Sequence, residues 1–155
     1  MSRPHNSAAV GAANIDGPRT AREPTRRVRD HPGLLLKCLA LVVVIRATLT
    51  LRSYGPVLEA IRNVDAGASN RRHPMLFVWA VRRAARFVPG ATCLTQALAV
   101  RWLMARSEQP SRIRIGVVEE PGKGFAAHAW VLHQDVVIIG GDTEDIRRYT
   151  PIVDL

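Results

Sequence analysis

Two residues of this chain have the side chains and the sequence contexts for nucleophilic chemistry, Cys93 and His128. Cys93 follows the break Pro89–Gly90 and opens the apolar segment CLTQALAVRWLMAR, which predicts a largely buried helix with Thr92 placed to cap it. Unpaired N–H groups and the positive end of the helix dipole would stabilise a thiolate there. The same N–H groups could hold the oxyanion that forms when a thiolate attacks a carbonyl. From its position alone, Cys93 is equally well interpreted as a small buried residue.

His128 lies in the segment AHAWV, between two alanines and beside Trp130, where the composition predicts a strand. A strand could hold the imidazole rigidly against the start of the Cys93 helix, where it would serve as the base of a cysteine hydrolase. A hydrogen-bonded core histidine is the commoner use of a single histidine in a strand. The spacing of Cys93 and His128 is by itself weakly specific.

A third group would orient the imidazole by accepting its other N–H, and Asp142 is the candidate. If residues 133–135 form a three-residue turn, His128 falls opposite Gly140 and Asp142 is a diagonal neighbour on the same face. A two-residue turn would point Asp142 away unless a bulge at Gly140–Gly141 corrects the register. Asp142 could equally be a solvated turn residue. For a second oxyanion donor the candidates are Gln96 and Trp79.

The sequence indicates neither a metal-binding site nor a nucleotide-binding site. No Cys-x-x-Cys or His-x-x-x-His spacing occurs, and His128 and His133 are five residues apart, hence on opposite faces of a strand. The glycines resemble no phosphate-binding signature. We therefore expect no metal and no other cofactor.

The elements that must position the two residues are helices followed by strands. The apolar segment Leu34–Leu51 has an uncharged run of only eight residues, Cys38–Ile45, against about 20 needed to span a bilayer. It predicts a buried or partner-facing helix, with contact at a membrane surface as an alternative because basic residues flank it. Two further helices are predicted before the one that begins at Cys93, over 57–63 and 75–88.

After Cys93 and its helix, the segments RIRIGVV, AHAWVL and VVIIGG predict an antiparallel sheet of at least three strands. Helices first and strands second is the order of an α+β fold. We divide the chain into a disordered N-terminal tail (1–30), which has no hydrophobic period, an N-terminal helical region (31–70) and a catalytic core (71–155).

The charge is strongly basic, with a formal net charge of +9 and 20 arginines against 2 lysines. Such a charge suits nucleic acid, an anionic membrane or acidic peptides, and does not choose among them. A GC-rich genome also produces this arginine usage, so we expect no nucleic-acid partner. The first residues carry no apolar signal and the contexts of Cys38 and Cys93 predict no disulfide, which together indicate the cytoplasm.

Three segments carry a family resemblance: VPGATCLTQALAVRWLMARSEQPSRIRIGVV, GFAAHAWVL and VVIIGGDTEDIRRYTPI. They resemble the lasso-peptide biosynthesis B proteins in their short form, which lacks a leader-binding domain, from about Leu34 onward. The resemblance implies a transglutaminase-like, papain-type fold and a Cys-His-Asp triad that removes the leader from a lasso-peptide precursor. The nucleophile falls on Cys93 and the base on His128. Some members place the acid about two positions earlier, at Gly140 here, which leaves Asp142 as the nearest substitute.

The same resemblance implies three partners: the lasso precursor with its leader peptide, a small leader-recognition protein and a macrolactam-forming cyclase. The apolar helices within 34–63 would then serve as a docking surface, or would be purely structural. Two other functions stay open. One is an acyltransferase that uses the same triad, and the other is a non-catalytic basic scaffold that binds nucleic acid or anionic membrane.

Overall fold

The computed structural model describes residues 31–51, 55–63, 72–122, 124–141 and 143–155. The tail predicted over 1–30 lies outside the described residues. The helices are α1 (Pro32–Leu51), α2 (Gly55–Arg62), α3 (Pro74–Ala85), α4 (Cys93–Arg106) and α5 (Thr143–Arg147). The strands are β1 (Arg112–Glu120), β2 (Gly124–His133), β3 (Val136–Ile139) and β4 (Thr150–Asp154). The fold is α+β, as predicted.

Helix α4 is the centre of the hydrophobic core. Its segment from Thr95 to Met104 buries side chains on several sides, as expected for a helix that has apolar residues all around. Helices α1 and α3 pack against it, and strand β2 lies on its other side. One buried cluster joins these elements, with members including Cys38, Val42, Phe77, Val81, Leu98, Val100, Ile113, Ala129 and Val131. The helices therefore cover one face of the sheet and fix the start of α4 relative to β2.

Helix α1 buries one side and exposes apolar residues on the other. Its buried residues are Leu34, Cys38, Val42 and Ile45, spaced by three or four as a helix face requires. Leu36, Val44 and Leu51 are more than 60% exposed. Among the helices that the structure describes, α1 alone is long and apolar enough to cross a membrane by length and composition, with a mean hydropathy of 2.2. It packs on α3 and α4 through one side, but only 17% of its apolar stretch is buried. The prediction of a buried helix therefore holds for that side alone, and contact of the exposed side with a partner stays a prediction.

The sheet has the strand order β3-β2-β1-β4, and its pairs are all antiparallel. Strands β1 and β2 pair along their whole length, so Gly116 lies directly opposite His128. Neither β4 nor the short helix α5 was predicted. Strand β4 is held on the free edge of β1 by the ion pair of Arg114 and Asp154, with N···O distances of 2.6 and 2.7 Å, and by the backbone of Leu155.

The hairpin between β2 and β3 differs from the predicted three-residue turn. His133 pairs with Val136, so the turn contains two residues, Gln134 and Asp135, with φ of 50° and 63°. These positive values are those of the turns that match strand twist in two-residue hairpins. The bulge that shifts the register lies at Ile138 within β3, because Leu132 pairs with Val137 and Val131 with Ile139.

This bulge shifts the end of β3 by one residue relative to β2. Gly140 then lies against Trp130, and a Cβ atom placed on Gly140 would be only 2.6 Å from Trp130 Cα. The close approach brings the backbone of Gly140 beside the side chain of His128. The hairpin geometry thus decides which atoms surround the imidazole.

Candidate active site

Cys93 is the first residue of α4 and is half-buried. The first helical hydrogen bond runs from Gln96 N to Thr92 O at 3.1 Å, so the N–H groups of residues 93–95 precede it and have no partner within the helix. Thr92 occupies the N-cap position, but its side chain makes no capping hydrogen bond, which corrects its predicted role. The sulfur therefore lies where helix N–H groups can stabilise negative charge.

The turn before Cys93 is covered by an arginine from α1. Gly90 has φ of 72°, a conformation that favours glycine. The Nη2 and Nε atoms of Arg46 lie 2.7 and 2.8 Å from the position that a Cβ atom on Gly90 would take. A side chain at this position would require the guanidinium to move. The turn before the nucleophile thus packs against a side chain of α1.

His128 lies near the middle of β2, with its ring held by three neighbours. Its Nε2 hydrogen-bonds the carbonyl oxygen of Gly140. The Trp130 ring is roughly parallel to the imidazole at a centroid distance of 6.2 Å, and the Tyr149 ring is tilted against it at 5.2 Å. Gly116 makes room for both aromatic rings, because a Cβ atom there would lie 2.8 Å from Trp130 Cη2 and 3.0 Å from Tyr149 Cβ.

Cys93 and His128 line the same cavity, whose volume is about 400 Å³. Helix α4 supplies the thiol from one wall and strand β2 supplies the imidazole from the other. The remaining lining residues are Arg82, Gln96, Ile139, Gly140, Gly141, Asp145, Arg148 and Tyr149. The fold thus brings together two of the residues singled out from the sequence, in a space large enough for part of a peptide.

Asp142, the predicted third member, lies outside the described residues. Gln96, one candidate oxyanion donor, lines the cavity and donates from Nε2 to Ala91 O at 3.4 Å. Trp79, the other candidate, packs at the border of the hydrophobic core. Gln96 is therefore the better placed of the two for an oxyanion.

The cavity also contains charged side chains that the sequence reasoning missed. Arg82 comes from α3, Asp145 from α5, and Arg148 follows α5, with its Nη2 3.8 Å from Glu120 Oε1. Arg82 lies in the helix predicted over 75–88, but no local pattern placed it beside Cys93. Within the described ranges, no three His, Cys, Asp or Glu side chains lie close enough together to hold a metal ion.

The two cysteines differ in their exposure. Cys38 is fully buried in the core, and burial raises the pKa of its thiol to about 11. Cys93 opens into the cavity. Iodoacetamide at pH 8 is therefore expected to alkylate Cys93 in the folded protein and leave Cys38 unmodified, because the thiolate reacts and Cys38 stays a protonated, inaccessible thiol below its pKa.

Peptide mass spectrometry after a short alkylation pulse measures this difference. The same pulse in denaturant is the control and should label both cysteines. Equal labelling of Cys38 and Cys93 in the native protein would contradict the burial of Cys38.

The comparisons with known proteins agree with this geometry. A family model described as the transglutaminase-like superfamily matches residues 38–154. The match runs from within α1 to the end of β4 and includes Cys93, His128 and every residue that lines the cavity. No curated protein and no solved structure shows significant similarity to the chain.

Proposed function

Because this chain belongs to the transglutaminase-like superfamily, whose domain fits a cysteine peptidase or acyltransferase, we propose that it is the peptidase that removes the leader from a lasso-peptide precursor. The single observation that carries the enzymatic part is the cavity shared by the Cys93 thiol and the His128 imidazole. The leader-peptidase assignment is supported by the three sequence segments that resemble lasso-peptide B proteins.

In the acylation half of the reaction, the Cys93 sulfur attacks the carbonyl carbon at the junction of leader and core. A C–S bond forms as the carbonyl electrons move to the oxygen, and the N–H groups at the start of α4 stabilise that oxyanion. His128, which has taken the thiol proton, gives it to the departing amine as the C–N bond breaks. The core peptide leaves with a free N-terminal amine, and the leader remains as a thioester on Cys93.

In the deacylation half, His128 removes a proton from a water molecule that attacks the thioester carbonyl. The C–S bond breaks, the leader departs with a carboxyl terminus, and the sulfur recovers the proton through His128. An amine that attacks the same carbonyl would take the leader in place of water. Hydrolysis and acyl transfer therefore share the first half and differ only in the second nucleophile.

Three partners follow from this function. The precursor peptide is the substrate, a small recognition protein holds its leader, and a macrolactam-forming cyclase uses the amine that cleavage frees. We place the reaction in the cytoplasm, where thiols stay reduced.

Reconstitution tests the proposal. The purified chain is incubated with the short precursor and the recognition protein encoded beside its gene, and the products are measured by mass spectrometry. We expect two peptides whose masses sum to the precursor plus one water. A product in which the leader carries an added amine would instead identify an acyltransferase, and an uncut precursor in the presence of a reactive Cys93 would contradict the leader-peptidase proposal.

A further inference from the structure

The atom that accepts the His128 ring N–H is a backbone oxygen. Nε2 of His128 bonds the carbonyl of Gly140, and a carbonyl can only accept a hydrogen bond. In a neutral imidazole the ring proton is therefore on Nε2, which leaves the lone pair on Nδ1. Nδ1 is then the nitrogen available to take the proton of Cys93 in the shared cavity.

From this contact we infer that the carbonyl of Gly140 orients the His128 imidazole for proton transfer, a task that a carboxylate performs in a Cys-His-Asp triad. Gly140 is a positioning residue, since it acts on the substrate only through His128. This role deepens the peptidase function proposed above and presupposes it.

The backbone around Gly140 is built for a close approach. Gly140 has φ of 114°, which disfavours residues with a side chain. A Cβ atom there would lie 2.6 Å from Trp130 Cα and 2.9 Å from Ala129 O, both atoms of β2. Only a glycine after the β3 bulge lets the strand end lie so near β2 that its carbonyl reaches the histidine.

The two aromatic neighbours restrict the rotation of the His128 imidazole, which a single hydrogen bond would still permit. Trp130 and Tyr149 contact the imidazole at 6.2 and 5.2 Å between ring centroids. Both are packed over Gly116, which lies opposite His128 in the sheet. Among the residues that the structure describes, the ring is thus held by one polar contact at Nε2 and by two aromatic contacts.

Two carboxylates are rivals for the same task. Asp142 was predicted from the sequence, and Asp145 lines the cavity. A Cβ atom built on Gly141 would lie 3.9 Å from Asp145 Cβ and 4.0 Å from His128 Nε2, so Asp145 and the ring both border Gly141. Removing a carboxylate that orients a catalytic histidine lowers kcat by about 10⁴-fold. Removing a carboxylate without that task lowers kcat far less.

Cleavage of the precursor separates these cases. We expect Asp142→Asn and Asp145→Asn each to lower kcat by no more than about fivefold. Gly140→Ala should lower kcat by about 10²-fold or more, because general base catalysis contributes about 10²–10⁴ to the rate. The KM of Gly140→Ala should change less than about threefold. Gly122→Ala is the matched control, since Gly122 also has a positive φ of 76° but has open space around it. A loss of about 10³-fold in either aspartate variant, or full activity in Gly140→Ala, would overturn the assignment.

The tautomer of His128 gives a readout that needs neither substrate nor activity. Long-range ¹H–¹⁵N spectra of histidine-labelled Cys93→Ala protein, recorded at a pH where the imidazole is neutral, should show the proton on Nε2, and adding Asp142→Asn should not change it. A proton on Nδ1, or a switch caused by Asp142→Asn, would refute the role of Gly140 even if Gly140→Ala does not fold. If no precursor is cleaved but Nε2 carries the proton, the leader-peptidase function fails while the orienting contact stands.

Discussion

Replacement of Cys93 by alanine abolishes precursor cleavage, with an expected loss of at least about 10⁴-fold in kcat, because Cys93 carries the only thiol among the described residues that line the cavity. Cys93→Ser is expected to lose nearly as much, since a hydroxyl at the start of α4 is far less easily ionised than a thiol. The measurement is the initial rate of product formation by mass spectrometry, with precursor and recognition protein in excess.

The matched control for this loss is Cys38→Ala. Cys38 is the other cysteine of the chain, and it is buried in the core away from the cavity. We expect Cys38→Ala to lower the free energy of unfolding by about 1 kcal/mol because of the lost volume, while kcat stays unchanged. Circular dichroism should show both variants folded. Substantial cleavage by a folded Cys93→Ala protein would remove Cys93 from the mechanism.

Replacement of His128 by alanine is expected to lower kcat by about 10³–10⁴-fold. The variant lacks the group that takes the thiol proton and protonates the leaving amine. The residual rate should rise with pH more steeply than in the parent protein, because hydroxide then has to generate the thiolate of Cys93. The check is kcat across a series of buffers, together with the rate of Cys93 alkylation.

His133→Ala is the control on the same strand. His133 lies five residues from His128, its Nδ1 is 2.7 Å from Pro110 O, and it does not line the cavity. Its removal should change stability only slightly and leave kcat intact. If His133→Ala and His128→Ala lost activity equally, the effect would be one of strand stability, and His128 would not be the base.

Much of the site could be predicted because its signals are local. The Pro89–Gly90 break predicted a helix that begins at Cys93, and the composition around His128 predicted its strand. The apolar character of α4 on all sides predicted its central position. These features depend on neighbouring residues, so one sequence is enough to find them.

The hairpin and the sheet edge could not be predicted in the same way. The turn Gln134–Asp135 lacks the glycine that usually marks a two-residue hairpin, and the bulge at Ile138 lies within an unbroken apolar run. The residues of β4 are exposed throughout, so no alternation of buried and exposed side chains identifies that strand. Its place depends on contacts with β1, about 40 positions earlier in the chain, such as Arg114 with Asp154.

The acceptor for His128 could not be found from sequence either, because it is a main-chain atom. The third member of a triad is usually a carboxylate or an amide side chain, which made Asp142 the candidate. Every residue has a backbone carbonyl, so residue type does not mark the one at Gly140. It becomes visible only once the β3 bulge and the approach to Trp130 are known.

Arg46 places the end of a side chain of α1 against the turn that leads into Cys93. The path from the solvent-facing side of α1 to the sulfur is short: one arginine side chain, one turn and the first residue of α4. A displacement of α1 would therefore reach the turn before Cys93 through Arg46, because the guanidinium lies against Gly90.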